Sequence, residues 1–203
     1  MTDTPDNHQK PTGRRTLYLL FGIAVLPMLA AYTMFFTGWG VPKQTNNRGL
    51  LLSDALSLEP LVASEDWQRI GREKKWRLLI PVPASCEDAC QKNMYTTRQV
   101  HIRLSEKSTR LERIAVSVGG QLSEDYLAAI AASHPKLKTV AAGQQRWQDW
   151  IEPVTSELET LGEHAYFLVD QEGYAIMAYG SEHHGNALLS DIKHALKFSI
   201  DYE

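Results

Sequence analysis

Hydrophobic positions along the 203-residue chain form one unbroken block followed by shorter patterned runs. The block is LYLLFGIAVLPMLAAYTMFF, residues 17–36, which carries no charge. A run of about twenty apolar residues is long enough to cross a bilayer as a helix. Further on, WRLLIPV (76–82) and RIAVSVGG (113–120) are short apolar runs closed by Pro or Gly, which predict two buried strands. Between them Cys86, Cys90, Met94, Thr97, His101 and Leu104 recur at helical spacing, predicting a helix from Cys86 to Arg103. SEDYLAAIAASH (123–134) predicts a helix with Ser123 as its N-cap, and QQRWQDWIE (144–152) a helix stopped by Pro153. HAYFLVDQEGYAIMAYG reads as two strands turning at Asp170–Gly173, and NALLSDIKHALKF (186–198) as a closing amphipathic helix. Residues 50–75 are apolar-rich without a clear period and stay unassigned.

The order strand, cysteine-bearing helix, strand, helices, hairpin, helix predicts an α/β protein with a mixed sheet flanked by helices. It resembles the thioredoxin-like element order. The expected organisation is a cytoplasmic tail (1–16), a transmembrane helix (17–38), a tether rich in Gly, Pro and Asn (39–49) and one outer domain (50–203). A signal peptide has an apolar core nearer 7–15 residues and small residues at its cleavage site. Here Met34, Phe35, Phe36 and Trp39 occupy that place, so an uncleaved anchor is expected, with Trp39 at the membrane interface. Pro27 is compatible with a membrane helix. Arg14 and Arg15 favour a cytoplasmic N-terminus, which places the working domain across the membrane. A net charge of −3 with scattered Lys and Arg gives no basic stripe, so nucleic acid is not an expected partner.

Candidate chemistry is concentrated in the only two cysteines, Cys86 and Cys90. They fall just past the first buried strand, where a helix begins. A helix N-terminus acidifies a thiol, and the thiolate is both the nucleophile and the soft-metal ligand. Glu87 and Asp88 oppose that acidification, so a milder effect is expected than in strong oxidants. A disulfide across this spacing requires Cys86 to lie slightly outside the helix, while two thiolates one turn apart could share Cu(I). Redox dithiol, metal clamp and structural staple all remain open, although a staple closing so small a loop removes little unfolded-state entropy. Met94 reads as a core residue, Trp147 and Trp150 as core or membrane-facing, and His183–His184 as a solvated loop. His101 is in line with the cysteines but too far along the helix to join them. The chain has no Gly-rich phosphate loop, G-x-S-x-G elbow, His-Glu-x-x-His helix or Cys-x-x-Cys-His haem site.

The strand–loop–Cys-x-x-x-Cys–helix of residues 76–104, with YFLVDQEGYAIMAYG and the last helix, resembles the Sco family. Those are membrane-anchored, thioredoxin-fold proteins of cytochrome c oxidase copper-site assembly. The resemblance implies a copper site (Cu⁺ or Cu²⁺) of Cys86, Cys90 and His164, an oxidase subunit with a copper site as partner, and the bacterial inner membrane with a periplasmic domain. It departs from the family in lacking prolines after the cysteines, where Glu87 and Gln91 stand. His164 also lies six residues before Asp170, closer than the family pattern, but the shift keeps strand parity. The absence of a proline in LGEHAYFLV tilts away from a general disulfide exchanger. The expected role is a metallochaperone-type assembly factor that binds, delivers or matures oxidase copper through Cys86 and Cys90. The alternatives are an enzyme, a thiol–disulfide reductase of oxidase cysteines, or a scaffold with an inert bridge.

Overall fold

The computed structural model describes residues 13–38, 47–162 and 164–201. Two units are distinct, residues 1–46 and residues 47–203. The described part of the first is one helix, α1 (Gly13–Thr37), whose most apolar 18-residue window has a mean hydropathy of 2.1, long and apolar enough to cross a membrane. It begins before the apolar block, taking in Arg14 and Arg15. Trp39 and residues 40–46 of the expected tether lie outside the described residues.

The second unit runs β1 (Leu50–Ser57), α2 (Ser64–Ile70), β2 (Trp76–Val82), α3 (Asp88–Arg103), β3 (Leu111–Ser117), α4 (Gln121–Ile130), β4 (Leu137–Ala141), α5 (Gln144–Ile151), α6 (Thr155–Leu158), β5 (Tyr166–Val169), β6 (Tyr174–Tyr179) and α7 (Gly185–Phe198). The strands form one mixed sheet in the order β1-β6-β5-β2-β3-β4. β2, β3 and β4 are parallel, whereas β5 runs antiparallel to β2, and β6 antiparallel to β5 and β1. β2 is central, and all seven of its residues are buried. A strand covered on both faces reads as a continuous apolar run, which is why WRLLIPV shows no alternation.

Strand parity sorts the core. Leu79, Ile114, Val116, Phe167 and Val169 face one layer, with Leu58, Leu61, Ile70, Trp150 and Val154. Leu78, Tyr166, Leu168, Met177 and Tyr179 face the other, against Val100 of α3 and Leu188, Ile192 and Leu196 of α7. Ile80, Val82 and Ala115 continue that second face beneath Cys90 and Met94. The expected helical ladder is accordingly the buried stripe of α3, with Cys90, Met94, Thr97, His101 and Leu104 all buried.

Two buried polar groups tie the ends together. The Arg77 guanidinium donates to the carbonyls of Ile70, Glu73, Lys75 and Asp170, gathering the turn before β2 and the β5–β6 turn. Asp191 of α7 accepts from the backbone N–H of Arg48 and Gly49 and from the Tyr179 hydroxyl. Burial, then the Asp191 charge, holds the Tyr179 hydroxyl far above the ordinary tyrosine range.

Several boundaries differ from the sequence reading. The expected helix 123–134 starts at Gln121, and its cap is Gly120 at φ 73°. Ser123 is not a cap: it is fully buried within the helix, bonded to the Ser117 hydroxyl and donating to the Gly120 carbonyl at 2.8 Å. β4 has no counterpart among the predicted elements, and β3 begins two residues earlier than expected. The hairpin turns as predicted, with Asp170 Oδ1 accepting from the N–H of Glu172 and Tyr174, both at 2.9 Å.

Candidate functional site: a cysteine pair at the start of α3

The site is built on the C-terminal end of β2. In a parallel sheet the loops leaving these strand ends form the crevice where ligands bind. Val118 N–H donates to the Val82 carbonyl at 3.0 Å, extending the β2–β3 ladder, and the chain then turns through Pro83 and Ala84. Gly119 is what lets the two loops meet. A Cβ there would lie 1.9 Å from the Ala84 nitrogen and 2.5 Å from the Pro83 carbonyl carbon, so any side chain displaces the loop that carries Cys86.

α3 begins at Asp88, two residues beyond Cys86, with Glu87 as the N-cap residue in extended conformation. Cys86 therefore stands outside the helix and Cys90 inside its first turn. Their Cα atoms are 5.2 Å apart and their sulfurs form a disulfide. That separation falls within the range a disulfide bridges, as expected when the first cysteine leaves the helix. The Gln91 side chain donates to the Cys86 carbonyl at 3.0 Å, and Ser85 donates to the Glu87 carboxylate at 3.1 Å. Both bonds fix the approach to the helix. Glu87 and Asp88 point to solvent.

The two sulfurs have unequal surroundings. Cys90 is 1 % exposed among Ile80, Val82, Met94, Ala115 and Leu127, whereas Cys86 is half-buried at the edge of that cluster. Next to the Pro83–Ala84 loop opens a cleft of about 630 Å³, lined by Pro83, Gly119, Trp147, His164 and Phe167 among others. Of its aromatic lining, Trp147 packs edge to face on Phe167, which Trp150 meets edge to face from outside the cleft lining.

His164 lies on the segment leading into β5 and contributes to the wall of this cleft. Its carbonyl accepts from Asn93 Nδ2 at 2.6 Å. Asn93 is buried one turn beyond Cys90 on α3, so the His164 backbone is fastened to the helix that bears the cysteines. Asn93 was not visible in the sequence reading; its position three residues after Cys90, on the buried side of a helix, was the available signal. Thr97 continues the network, donating to the Asn93 carbonyl at 2.8 Å.

Among the described residues no three His, Cys, Asp or Glu side chains gather closely enough to hold a metal ion. With the sulfurs joined, neither offers a thiolate, so any metal-binding form is the reduced one. Met94 is 2 % exposed core. His183 Nδ1 accepts from Gly180 N–H at 3.0 Å with its ring edge-on to Tyr179, and His184 Nδ1 accepts from Asn186 N–H at the start of α7. These histidines organise the loop before the last helix. His101 bonds the Leu111 carbonyl at 3.1 Å, away from the cysteines.

Comparison with known proteins fits this architecture. BsSco, a Sco-family cytochrome c oxidase assembly protein with a disulfide switch, superposes at a TM-score of 0.50 with 12 % identity, over 78 % of this chain and 100 % of its own. Yeast Sco1 does so at 0.50 and 14 %, over 74 % and 97 %. A thiol:disulfide interchange protein from Bacteroides sp. reaches 0.47 at 16 %, over 77 % and 95 %. At such identities the likeness is one of fold. No curated protein matches the sequence. Residues 7–38 match the model of a transmembrane-like N-terminal domain, and residues 76–199 match that of the transmembrane-like, thioredoxin-like C-terminal domain. With its apolar N-terminal helix and the cysteine pair at the head of α3, the chain belongs to this transmembrane-like, thioredoxin-like family.

Proposed function

We propose that this is a membrane-anchored thiol–disulfide exchange protein that acts on the cysteine pair of a partner, and that its Sco-like fold serves the copper-site cysteines of a cytochrome c oxidase subunit. The observation that carries the reading is the asymmetric disulfide: one sulfur half-buried outside the helix, the other buried within it. In the reduced protein the Cys86 thiolate attacks one sulfur of the partner disulfide, which breaks and releases the partner's second sulfur as a thiolate. Cys90, which no partner can reach directly, then attacks Cys86, and the mixed disulfide resolves. The partner gains two electrons and two protons, and this chain ends as the Cys86–Cys90 disulfide. A thiol reductant must regenerate it. A persisting disulfide suits an oxidising compartment. Arg14 and Arg15, ahead of the apolar block, favour an outward orientation of the domain, in a bacterium to the periplasm.

Copper carriage is a second reading, favoured by the Asn93 bond that holds His164 to α3. Reduced Cys86 and Cys90 offer two soft donors suited to Cu(I), with His164 as a third, and copper would be cargo passed on by ligand exchange.

Both readings are tested on the full chain. Cys90→Ser, incubated with a peptide carrying an oxidised cysteine pair, should trap a mixed disulfide at Cys86, whereas Cys86→Ser should trap none. Equal trapping by the two variants, or none, contradicts the exchange reading. Cu(I) titration of the reduced chain against a competing chelator decides the second: tight copper that is lost in Cys86→Ala and weakened in His164→Ala supports carriage.

A further inference from the structure

A second cavity, of about 340 Å³, opens between α3, the 3₁₀ turn Ser105–Arg110, β3 and the segment before β4. The residues lining it include Arg98, His101, Arg113, His134 and Lys136, and none is acidic. Arg113 forms its floor and is only 3 % exposed. Its Nη2 donates to the Met94 carbonyl at 2.9 Å and the Thr97 hydroxyl at 3.0 Å, and its Nε to the same hydroxyl at 3.3 Å. It forms no ion pair with any described carboxylate. The adjacent Glu112 points to the opposite face of the sheet, where Arg77 and Lys138 hold it.

A buried cation is expensive unless paired. Burial, with Arg98 adding repulsion, brings Arg113 down to about 10. Arg113 and Arg98 likewise add to the burial that holds His134 below its ordinary value, so these side chains share one positive field. A further polar atom is left over: His134 Nδ1 is buried without a hydrogen-bond partner. His101 differs, since its ring is occupied by the Leu111 and Ser108 backbone. It serves as wall. Arg98 and Lys136 are exposed at the rim.

We infer that this cavity is a binding site for a phosphate group, with Arg113 and His134 as the inner donors and Arg98 and Lys136 closing over the outer oxygens. Guanidinium and ammonium donors to an oxyanion form the stronger, charge-assisted class of hydrogen bond. The cavity is larger than bare phosphate needs and leaves room for an ester substituent. The group is therefore either free phosphate or the headgroup of an acidic phospholipid. The site is independent of the cysteine chemistry, although Arg113 meets the same helix that carries Cys90.

The test uses the full chain in a phosphate-free maltoside detergent, titrated with inorganic phosphate and followed by calorimetry. A parallel arm uses nanodiscs of phosphatidylcholine with or without phosphatidic acid, followed by ³¹P NMR. Arg98→Gln and Lys136→Gln, both at the surface, should each weaken binding about ten-fold, or about 1.4 kcal/mol. Arg113→Gln, where circular dichroism shows it folded, should abolish it. Saturable inorganic phosphate binding that the variants weaken identifies free phosphate. Line broadening of phosphatidic acid that the variants remove, without inorganic phosphate binding, identifies the headgroup. No saturable binding in either arm, or binding that the variants leave unchanged, overturns the site.

Discussion

Replacing Asn93 by Leu isolates the contact that ties the candidate ligand His164 to the cysteine helix. Asn93 is 2 % exposed, and its Nδ2 donates to the His164 carbonyl at 2.6 Å. Leucine keeps the volume and removes the donor, so the carbonyl loses its partner while no large cavity opens. An acceptor deprived of its partner in a buried site costs roughly 1–3 kcal/mol, and the gain from burying an apolar side chain offsets part of this. A net loss of about 1–2 kcal/mol is expected, a shift of roughly five- to thirty-fold in the unfolding equilibrium. Urea denaturation of the full chain in detergent should therefore show a lower midpoint with an unchanged slope. Because the bond fastens one segment, the amides from His164 to Tyr166 should exchange faster than those of the β2 core. An unfolding free energy within ~0.5 kcal/mol of wild type, the ordinary scatter for surface changes, together with unchanged exchange at His164, would refute the claim that Asn93 holds this segment.

Three further outcomes are expected. Arg77→Met removes a donor from four carbonyls, of which those of Glu73 and Asp170 keep a backbone partner, and leaves Glu112 with Lys138 alone, so it should lower stability by roughly 3–5 kcal/mol in urea. Gly119→Ala places a methyl against the Ala84 backbone and should displace the Pro83–Ala84 loop, changing the alkylation rate of reduced Cys86 while α7 amides stay protected. His101 is held below its ordinary 6.5, first by burial. As pH falls through that value, the unfolded chain takes up a proton that the folded chain refuses, so stability declines on acidification. His101→Gln should flatten the urea-midpoint profile between about pH 7 and pH 5.

The elements legible in the sequence are those whose burial is local and regular. β2 shows as a continuous apolar run, the 166–179 hairpin and α7 carry their own patterns, and the buried stripe of α3 follows the ladder from Cys90 to Leu104. The edges were not legible. β4 is a five-residue strand with one buried residue, and it exists because β3 offers its edge in parallel. β1 pairs with β6 through an irregularity between Leu51 and Leu56, which breaks the alternation a strand reading needs. Ser123 has the composition of a cap, but the Ser117 hydroxyl draws it inward and Gly120 takes the capping place. At the site, the helical ladder put the helix start at Cys86, whereas α3 begins at Asp88 and Cys86 stands outside it, the placement that a disulfide across this spacing requires. Asn93, Gly119 and Arg113 owe their roles to segments 71, 35 and 19 residues away in the chain, and no local pattern announces such meetings.

The most direct test of the exchange chemistry is the reactivity of the two cysteines in the reduced protein. The full chain, reduced in detergent, would be treated with limiting iodoacetamide near neutral pH, and adducts at Cys86 and Cys90 quantified by mass spectrometry over time. Cys86, half-exposed ahead of the helix, should alkylate at least about ten-fold faster than Cys90, which is 1 % exposed within it. Equal rates, or faster modification of Cys90, would contradict Cys86 as the attacking sulfur.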